Sequence, residues 1–348
     1  MKHLYSDTIY NKKIIICGPV PPPYGGVAVH IKRIQEKLRN QDNIVIIFDA
    51  SAYISRLQRW CNLITCLYKN KFTLIYYHTL YNSIIEWLLV FIYSKIFNVT
   101  LHLVDHDCEH LDRRSKLELF IFKNSIHRIN KHTIIGTSTH ASYQKHAIKI
   151  IKETALESPF LPPVLMHKEE LISSYSPQLH MFLNTKSPRI LMNAAQALLT
   201  PAGHDVYGIL DSLRLLQKLQ HLFPNIGLCI ALGHRGNLSY FEKLISFIKN
   251  NNLEHAVYFF EEQKELWPLF EYCNLFIRPT LYDSYGISIE EALFFGIPAL
   301  ATDVCKRPAG TLLYQYGDFE DLYEKSKKIL EETYGNNKHY SVYLQQAQ

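Results

Sequence analysis

The sequence predicts an α/β protein of two domains, each a parallel β-sheet covered by helices on both faces. Three observations carry this. Short β-branched runs alternate with helically periodic segments, and the alternation occurs in both halves of the chain. The 348 residues correspond to about two domains at roughly 150 residues each. Between the halves, Glu157–Ser187 carries Pro159, Pro162, Pro163 and Pro177 with weak periodicity, and reads as the connection. The expected division is 1–165, 166–317 and a C-terminal helix with tail, 318–348, free to pack back toward the N-terminal domain.

In the first half, Lys13–Gly18 (KIIICG) reads as a buried strand and is followed by a proline-rich loop. Val27, Ile31, Ile34 and Leu38 then mark a helix over Val27–Arg39. Strands are expected at Ile44–Phe48, Phe72–Tyr77, Thr100–Val104 and His132–Gly136. Helices are expected between them at Ile54–Tyr68, Ser83–Phe97, Ser115–His127 and Thr139–Ile148. The second half gives strands at Arg189–Asn193, Gly227–Leu232, Val257–Phe260, Leu275–Arg278 and Pro298–Thr302. Its helices are at Val206–Leu222, Leu238–Asn250, Lys264–Tyr272, Ile287–Phe295 and Asp318–Tyr334. Such sheets bind ligands at the carboxyl ends of their strands, which places a site in a cleft between the two domains.

Composition narrows the function. Hydrophobic residues make up 47% and charged residues 20%, enough for packed cores and against wholesale disorder. The net charge of +5 divides unevenly: 21 Lys+Arg against 12 Asp+Glu over residues 1–165, and 16 against 20 over the remainder. A basic first half and an acidic second half suggest different partners, and a general nucleic-acid binder would be basic throughout. The seven cysteines are scattered, with no Cys-x-x-Cys pair, as in reduced core thiols. The N-terminus lacks an apolar signal region, and Glu86, Lys95 and Asn98 interrupt the longest apolar run. These features give the expectation of a cytoplasmic protein.

Three segments have the residue types for chemistry. The loop Gly18-Pro19-Val20-Pro21-Pro22-Pro23-Tyr24-Gly25-Gly26-Val27 follows the first strand. Gly25 and Gly26 there allow close approach of a ligand to amide donors at a helix N-terminus. It is neither Gly-x-Gly-x-x-Gly nor a P-loop. At the end of the fourth strand stand His102, Asp105, His106, Asp107 and His110. They offer metal-ligand chemistry, but alternation along a strand splits neighbours between faces, so a polar pair aimed at a substrate is the better reading. The third segment runs from Arg278 to Pro298. Asp283 lies in a loop, the amides of Tyr285, Gly286 and Ile287 open a helix suited to phosphate, and Glu291 lies one to two turns in. Glu290 and Glu291 point about 100° apart, so only one shares the site face.

This third segment resembles the donor-site signature of family-4 glycosyltransferases with the GT-B fold, Glu-x7-Glu followed by Ala-(Leu/Met)-x-x-Gly-x-Pro. Asp283 stands at the first acidic position, seven residues precede Glu291, and Ala292-Leu293-Phe294-Phe295-Gly296-Ile297-Pro298 follows. Pro-Pro-Pro-Tyr-Gly-Gly-Val-Ala-Val-His is similar to the family's glycine-rich opening. Arg278-Pro279-Thr280 and Arg307-Pro308-x-Gly310-Thr311 resemble the bacterial surface-polysaccharide members. The resemblance implies two Rossmann-like domains facing across a cleft and a retaining transfer from a nucleotide-sugar donor to a glycan acceptor, with no divalent metal or other cofactor. Glu291 would bind the ribose hydroxyls, Asp283 the sugar hydroxyls, and His106 or His102 the donor sugar. The amides at Gly25–Gly26 and Tyr285–Ile287 would hold the diphosphate.

One departure stands out. The family's Gly-Arg and Lys-Gly after the first strand of the second domain are missing from Asn193–Gly208, which has no Arg or Lys. A leaving nucleoside diphosphate still needs counter-charge. Arg278, Lys306, Arg307 and His234-Arg235 are the replacements on offer, with Arg278 and Arg307 expected to share the role. The segment Arg56–Lys71 mixes cations with Trp60 and an apolar stripe, as in helices that lie on an anionic membrane. Together these suggest a lipid-linked acceptor presented at the inner face of the membrane. The alternatives are a sugar-nucleotide epimerase of the same fold and a non-catalytic glycan-binding partner subunit.

Overall fold

The computed structural model describes residues 9–22, 24, 26–53, 55–79, 83–106, 110–135, 137–149, 154–157, 160–283 and 285–335. Gly25, Asp107, Pro159 and the tail beyond residue 335 lie outside them. The chain divides into two compact units, residues up to 161 and from 162 on, the loop 22–25 aside.

The N-terminal unit holds β1 (Lys13–Cys17), α1 (Gly26–Arg39), β2 (Ile44–Phe48), α2 (Arg56–Asn70), β3 (Leu74–His78) and α3 (Ile84–Ile96). It continues with β4 (Thr100–Asp105), α4 (Lys116–Ile126), β5 (Lys131–Ile135), α5 (Thr137–Lys145) and β6 (Thr154–Glu157). The strands form one sheet in the order β2-β1-β3-β4-β5-β6, every pairing parallel. Side chains alternate between its faces. Ile14, Ile16, Tyr76 and Val104 pack with Ile31, Ile34 and Leu38 of α1. Ile15, Ile75, Leu101 and Leu103 pack with Leu63 and Leu67 of α2, Trp87 and Val90 of α3 and Phe122 of α4. Each fully buried Ile or Leu contributes about 1.5–3 kcal/mol, which is why runs such as Ile14-Ile15-Ile16 fix strands against both layers. A capping box between Ser115 and Glu118 starts α4.

The C-terminal unit holds α6 (Lys168–Ser174), α7 (Pro177–Thr185), β7 (Arg189–Gln196), α8 (Ile209–Leu219), β8 (Gly227–His234), α9 (Leu238–Asn250) and β9 (Val257–Phe260). Then come a 3-10 turn (Trp267–Tyr272), β10 (Leu275–Arg278), α10 (Ile287–Phe294), β11 (Ala299–Thr302), β12 (Leu312–Tyr314) and α11 (Phe319–Gly335). Its parallel sheet has the order β12-β11-β10-β7-β8-β9.

Three expectations change. Much of the proline-rich stretch is helical: α7 starts on Ser176 with Pro177 in its first turn, and Tyr175, Leu179, Phe182 and Leu183 enter the C-terminal core. Lys264–Tyr272 is a 3-10 turn rather than an α-helix, with Pro268 at its start and Trp267, Leu269 and Phe270 buried. The helix expected from Val206 begins at Ile209. Asp205 accepts hydrogen bonds from the amides of Tyr207 and Leu210 and from the Tyr240 hydroxyl, and Gly208 adopts a left-handed conformation at φ +69°. Separately, α11 places Leu322, Ile329 and Leu330 in the core of its own C-terminal unit. Strands β6 and β12 escaped the sequence reading: Thr154-Ala155-Leu156-Glu157 lacks the β-branched and aromatic run that marks the equally short β9 and β10, and β12 has only three residues.

Candidate functional site

In the C-terminal sheet the chain runs outward from β7 through β8 to β9, then returns to the other side of β7 with β10. Strand order reverses between β7 and β10, the position at which such sheets bind ligands. Arg278 ends β10 and Asn193 lies on the adjacent β7. Arg278 donates through Nε to Asp283 Oδ2 at 2.8 Å and through one Nη to Asn193 Oδ1 at 2.8 Å. From the loop after β11, Arg307 donates to the same Asp283 oxygen at 2.7 Å. Its remaining nitrogens donate to the Thr302 carbonyl at 3.0 Å and to the Thr280 and Thr302 hydroxyls, each at 3.1 Å. Ser288 of α10 completes the ring by donating to Asn193 Oδ1 at 3.0 Å.

The electrostatics follow from this geometry. Burial alone would raise the Asp283 pKa, but the Arg278 and Arg307 guanidiniums outweigh it and hold the carboxyl at about 2. Burial works against the charge on Arg278, and Asp283 reverses that to raise its pKa. Two guanidiniums therefore share one carboxylate, leaving one positive charge beside the start of α10. Gly286 caps that helix at φ +92°; a Cβ there would lie 2.6 Å from Ile289 Cδ1 and 3.1 Å from an Arg307 Nη. The amides of Ile287 and Ser288 precede the first intrahelical bond, the arrangement that stabilises an anion. Glu291 is buried on α10, whereas Glu290 is partly exposed, as the 100° separation requires.

The expected residues thus converge in part. Arg278, Asp283, Arg307, Gly286 and Ile287 form one constellation, with Tyr285 preceding the cap and Glu291 one turn in. Asp283 is clamped between the two arginines. Arg307 is held by Thr280, Thr302 and Asp283, and Arg278 by Asp283 and Asn193. Of the other cations considered, Arg235 is paired with Glu261 at 2.8 Å, and Lys306 and His234 are exposed. Asn193 and Ser288 were missed; Asn193 stands inside the segment noted only for its lack of cations.

In the N-terminal sheet the reversal falls between β1 and β3. The cluster at the end of β4 splits as strand alternation requires. Asp105 accepts hydrogen bonds from the Tyr143 hydroxyl and from His132 Nε2 at 2.8 Å, and His110 Nε2 lies 3.4 Å away. All four residues are buried. Burial favours the neutral acid, yet His110 and His132 hold Asp105 well below the usual carboxylate range. His102 takes the other face, 2.8 Å from the Thr133 hydroxyl and against Tyr76. His106, just beyond the strand, meets His78 of β3 and His30 of α1 instead. Gly26 is exposed at the first residue of α1.

Outward from this sheet, α2, α3 and α4 carry a second set of apolar residues. Leu57, Ile64 and Tyr68 are exposed on α2, Ile85, Ile92 and Ile96 on α3, and Leu117 and Phe120 on α4. The first two sets share the spacing i, i+7, i+11, one stripe per helix. Leu63 and Leu67 of α2 point into the core, so that helix is apolar on two sides. No acid lies on α2; Glu86 of α3 is buried and pairs with Arg59 at 2.5 Å, and Glu118 of α4 serves its cap. Arg56, Lys69, Lys71, Lys95 and Lys116 are exposed on or beside these helices. No helix among the described residues is long and apolar enough to cross a membrane.

Residues 180–341 match the family model of glycosyl transferases group 1. This is a GT-B fold whose C-terminal unit matches the group 1 glycosyl transferases. The match spans the Arg278–Asp283–Arg307 constellation and Glu291. Solved structures agree on the GT-B fold across nearly the whole chain. HepE of Anabaena, solved with UDP and glucose, has a TM-score of 0.64 at 15% identity, covering 93% of this chain and 91% of that chain. Sucrose-phosphate synthase of Thermosynechococcus elongatus gives 0.61 at 15% identity, covering 94% and 93%. The lipopolysaccharide outer core galactosyltransferase WaaB gives 0.54 at 12% identity, covering 92% and 90%. No curated protein sequence matches the chain significantly.

Proposed function

We propose that this chain is a retaining glycosyltransferase of the family-4 type, which moves a sugar from a nucleoside-diphosphate donor to a lipid-linked glycan in surface-polysaccharide synthesis. The observation that carries the reading is the arginine-clamped Asp283 at the cap of α10, with Glu291 buried one turn on. Transfer of a glycosyl group leaves a nucleoside diphosphate, and stabilising that developing charge is the largest task for the protein. Arg278 and the amides of Ile287 and Ser288 supply fixed donors for it. Arg307 acts through Asp283, holding Arg278 in place. Glu291 accepts hydrogen bonds from the ribose hydroxyls, for which an ionised carboxylate is well suited. His106 is assigned to a sugar hydroxyl, and transfer is assigned no metal.

The membrane reading rests on the α2–α4 surface. Three apolar stripes bordered by cations, with Glu86 buried and the partly exposed Glu118 held in the α4 cap, suit the headgroup region of an anionic bilayer. HepE was solved with UDP and glucose and WaaB is described as a lipopolysaccharide outer core galactosyltransferase; both are consistent with a nucleotide-sugar donor and a cell-surface glycan.

The test mixes purified protein with single nucleotide sugars and a lipid-linked glycan acceptor. Acceptor-dependent release of nucleoside diphosphate, with the anomeric configuration kept in the product, is the expected result. Release of free nucleotide without acceptor would mark an epimerase. Neither donor binding nor release would mark a non-catalytic subunit.

A further inference from the structure

We propose that His30, His78 and His106 form a binding site for one divalent transition-metal ion, with zinc the best match. The three residues come from separate elements. His30 lies in the second turn of α1, His78 ends β3, and His106 follows β4. One ring nitrogen of each lies within 4.8 Å of one ring nitrogen of both others, and all three residues are buried. His78 Nδ1 is 2.9 Å from His106 Nε2, with the rings stacked, and His30 meets His106 edge-on at 5.1 Å between centroids. Nitrogens bound at about 2.1 Å around a tetrahedral zinc lie roughly 3.4 Å apart, so closure needs His78 and His106 to part slightly and side-chain rotation of up to about an ångström elsewhere in the trio.

The hydrogen-bond arrangement points the same way. A single proton is shared between His78 Nδ1 and His106 Nε2. Whichever ring donates it, His78 Nε2 is left buried without a hydrogen-bond partner. Such orphaned nitrogens are uncommon in folded proteins and mark a buried ring that hydrogen bonding does not account for; an ion would bind at Nδ1, the nitrogen facing His106, and leave Nε2 its proton. Around the cluster, Ile31 and Val104 are fully buried. Gly18 is required beneath it: a Cβ at that position would lie 2.4 Å from Ile31 Cδ1 and 3.2 Å from His78 Cβ, displacing both walls. Among the described residues the donor set is all nitrogen, with Asp105 turned to the opposite face of β4. Imidazoles alone select zinc, cobalt, nickel or copper over magnesium and calcium, which require oxygen. Three histidines leave a fourth position for water or a ligand.

The site shares His106 with the proposed sugar contact, goes beyond the transfer chemistry in binding an ion, and is tested by metal binding alone, so that its failure and the failure of the transfer reading are distinguishable. The full chain, freed of metal by a chelator, is titrated with Zn2+ and with Co2+. One ion per chain is expected, with a raised melting temperature and Co2+ absorption bands of tetrahedral intensity. NMR of the Co2+ form should show shifted N–H protons from three imidazoles; this measurement needs no variant. His30→Gln and His78→Gln should each weaken binding by more than about 100-fold, beyond the 10- to 100-fold loss typical of a supporting residue. Absence of binding to the wild type would overturn the site. So would unchanged binding in both variants, or a Co2+ spectrum lacking histidine signals, since these would put the ion elsewhere, for example at exposed Asp112 and His146.

Discussion

At the carboxyl edge of the N-terminal sheet, three buried imidazoles meet with no carboxylate among them in the described residues. At the corresponding edge of the C-terminal sheet, two guanidiniums close on one carboxylate. Both lie where strand order reverses, so topology placed them alike. Chemistry separates them. Burial drives His78 and His106 toward the neutral form: the His78 pKa falls well below its usual value, and that of His106 is lowered to about 4 despite the opposing pull of Asp105. In the other unit burial loses to Coulomb pairing, and Asp283 and Arg278 stay charged. The Arg278–Asp283–Arg307 trio of the acidic half carries one surplus positive charge, Glu291 apart, and the histidine trio of the basic half carries none. Local pairing, rather than the composition of a domain, sets the character of a buried site.

That contrast can be broken most decisively at Asp283. Asp283→Ala leaves two desolvated guanidiniums without a counter-ion and should cost about 3–5 kcal/mol, read as a lower urea midpoint for the C-terminal unit. His106→Gln removes a neutral ring and should cost much less. Equal losses would remove the distinction between charged and neutral sites. Next in size is Glu291→Ala. Losing hydrogen bonds to an ionised acceptor, worth about 1.5–3 kcal/mol each, should weaken donor binding by roughly 10- to 100-fold in a calorimetric titration, with Glu290→Ala nearly silent.

Acid should then separate the units in order. A buried group with a depressed pKa lends stability above its unfolded value and loses it as pH falls toward the folded one. For His106 the window runs from about 6.5 down to about 4, and for Asp283 from about 3.8 down to about 2. The Asp283 share is about 2 kcal/mol. In chelator-treated protein, fluorescence of variants keeping only Trp87 or only Trp267 should show the N-terminal unit loosening first. Simultaneous transitions would count against the comparison. The smallest effect concerns the surface. Lys69→Gln with Lys71→Gln should weaken binding to anionic vesicles by about 1 kcal/mol per charge and leave neutral vesicles unaffected, as sedimentation would show.

Much of this was legible beforehand. Ile44–Phe48, Val257–Phe260 and Leu275–Arg278 are strands with the expected ends, because β-branched runs bounded by polar residues have few other folded uses. Asp283 and Glu291 were found through their spacing and the glycine and proline that follow. The failures have a common cause. Asn193 supports the site through a carboxamide on a neighbouring strand, and Asp205 moves the start of α8 through contacts to α9; neither leaves a periodic trace. His30, His78 and His106 are separated by 48 and 28 positions, and only the sheet order makes them neighbours.

The sequence by itself determined two parallel α/β units, the glycosyltransferase-like signature and the absence of the usual Arg/Lys pair. Alternation, helical period and motif spacing are local quantities, and a linear chain records them. Tertiary structure alone decided which cation neutralises which anion. It showed that Arg307 is spent on holding Arg278 and Asp283, and that three distant histidines share one buried point. Coulomb energy and ligand geometry depend on separations of a few ångströms, and strand order sets those separations across gaps that sequence spacing does not measure.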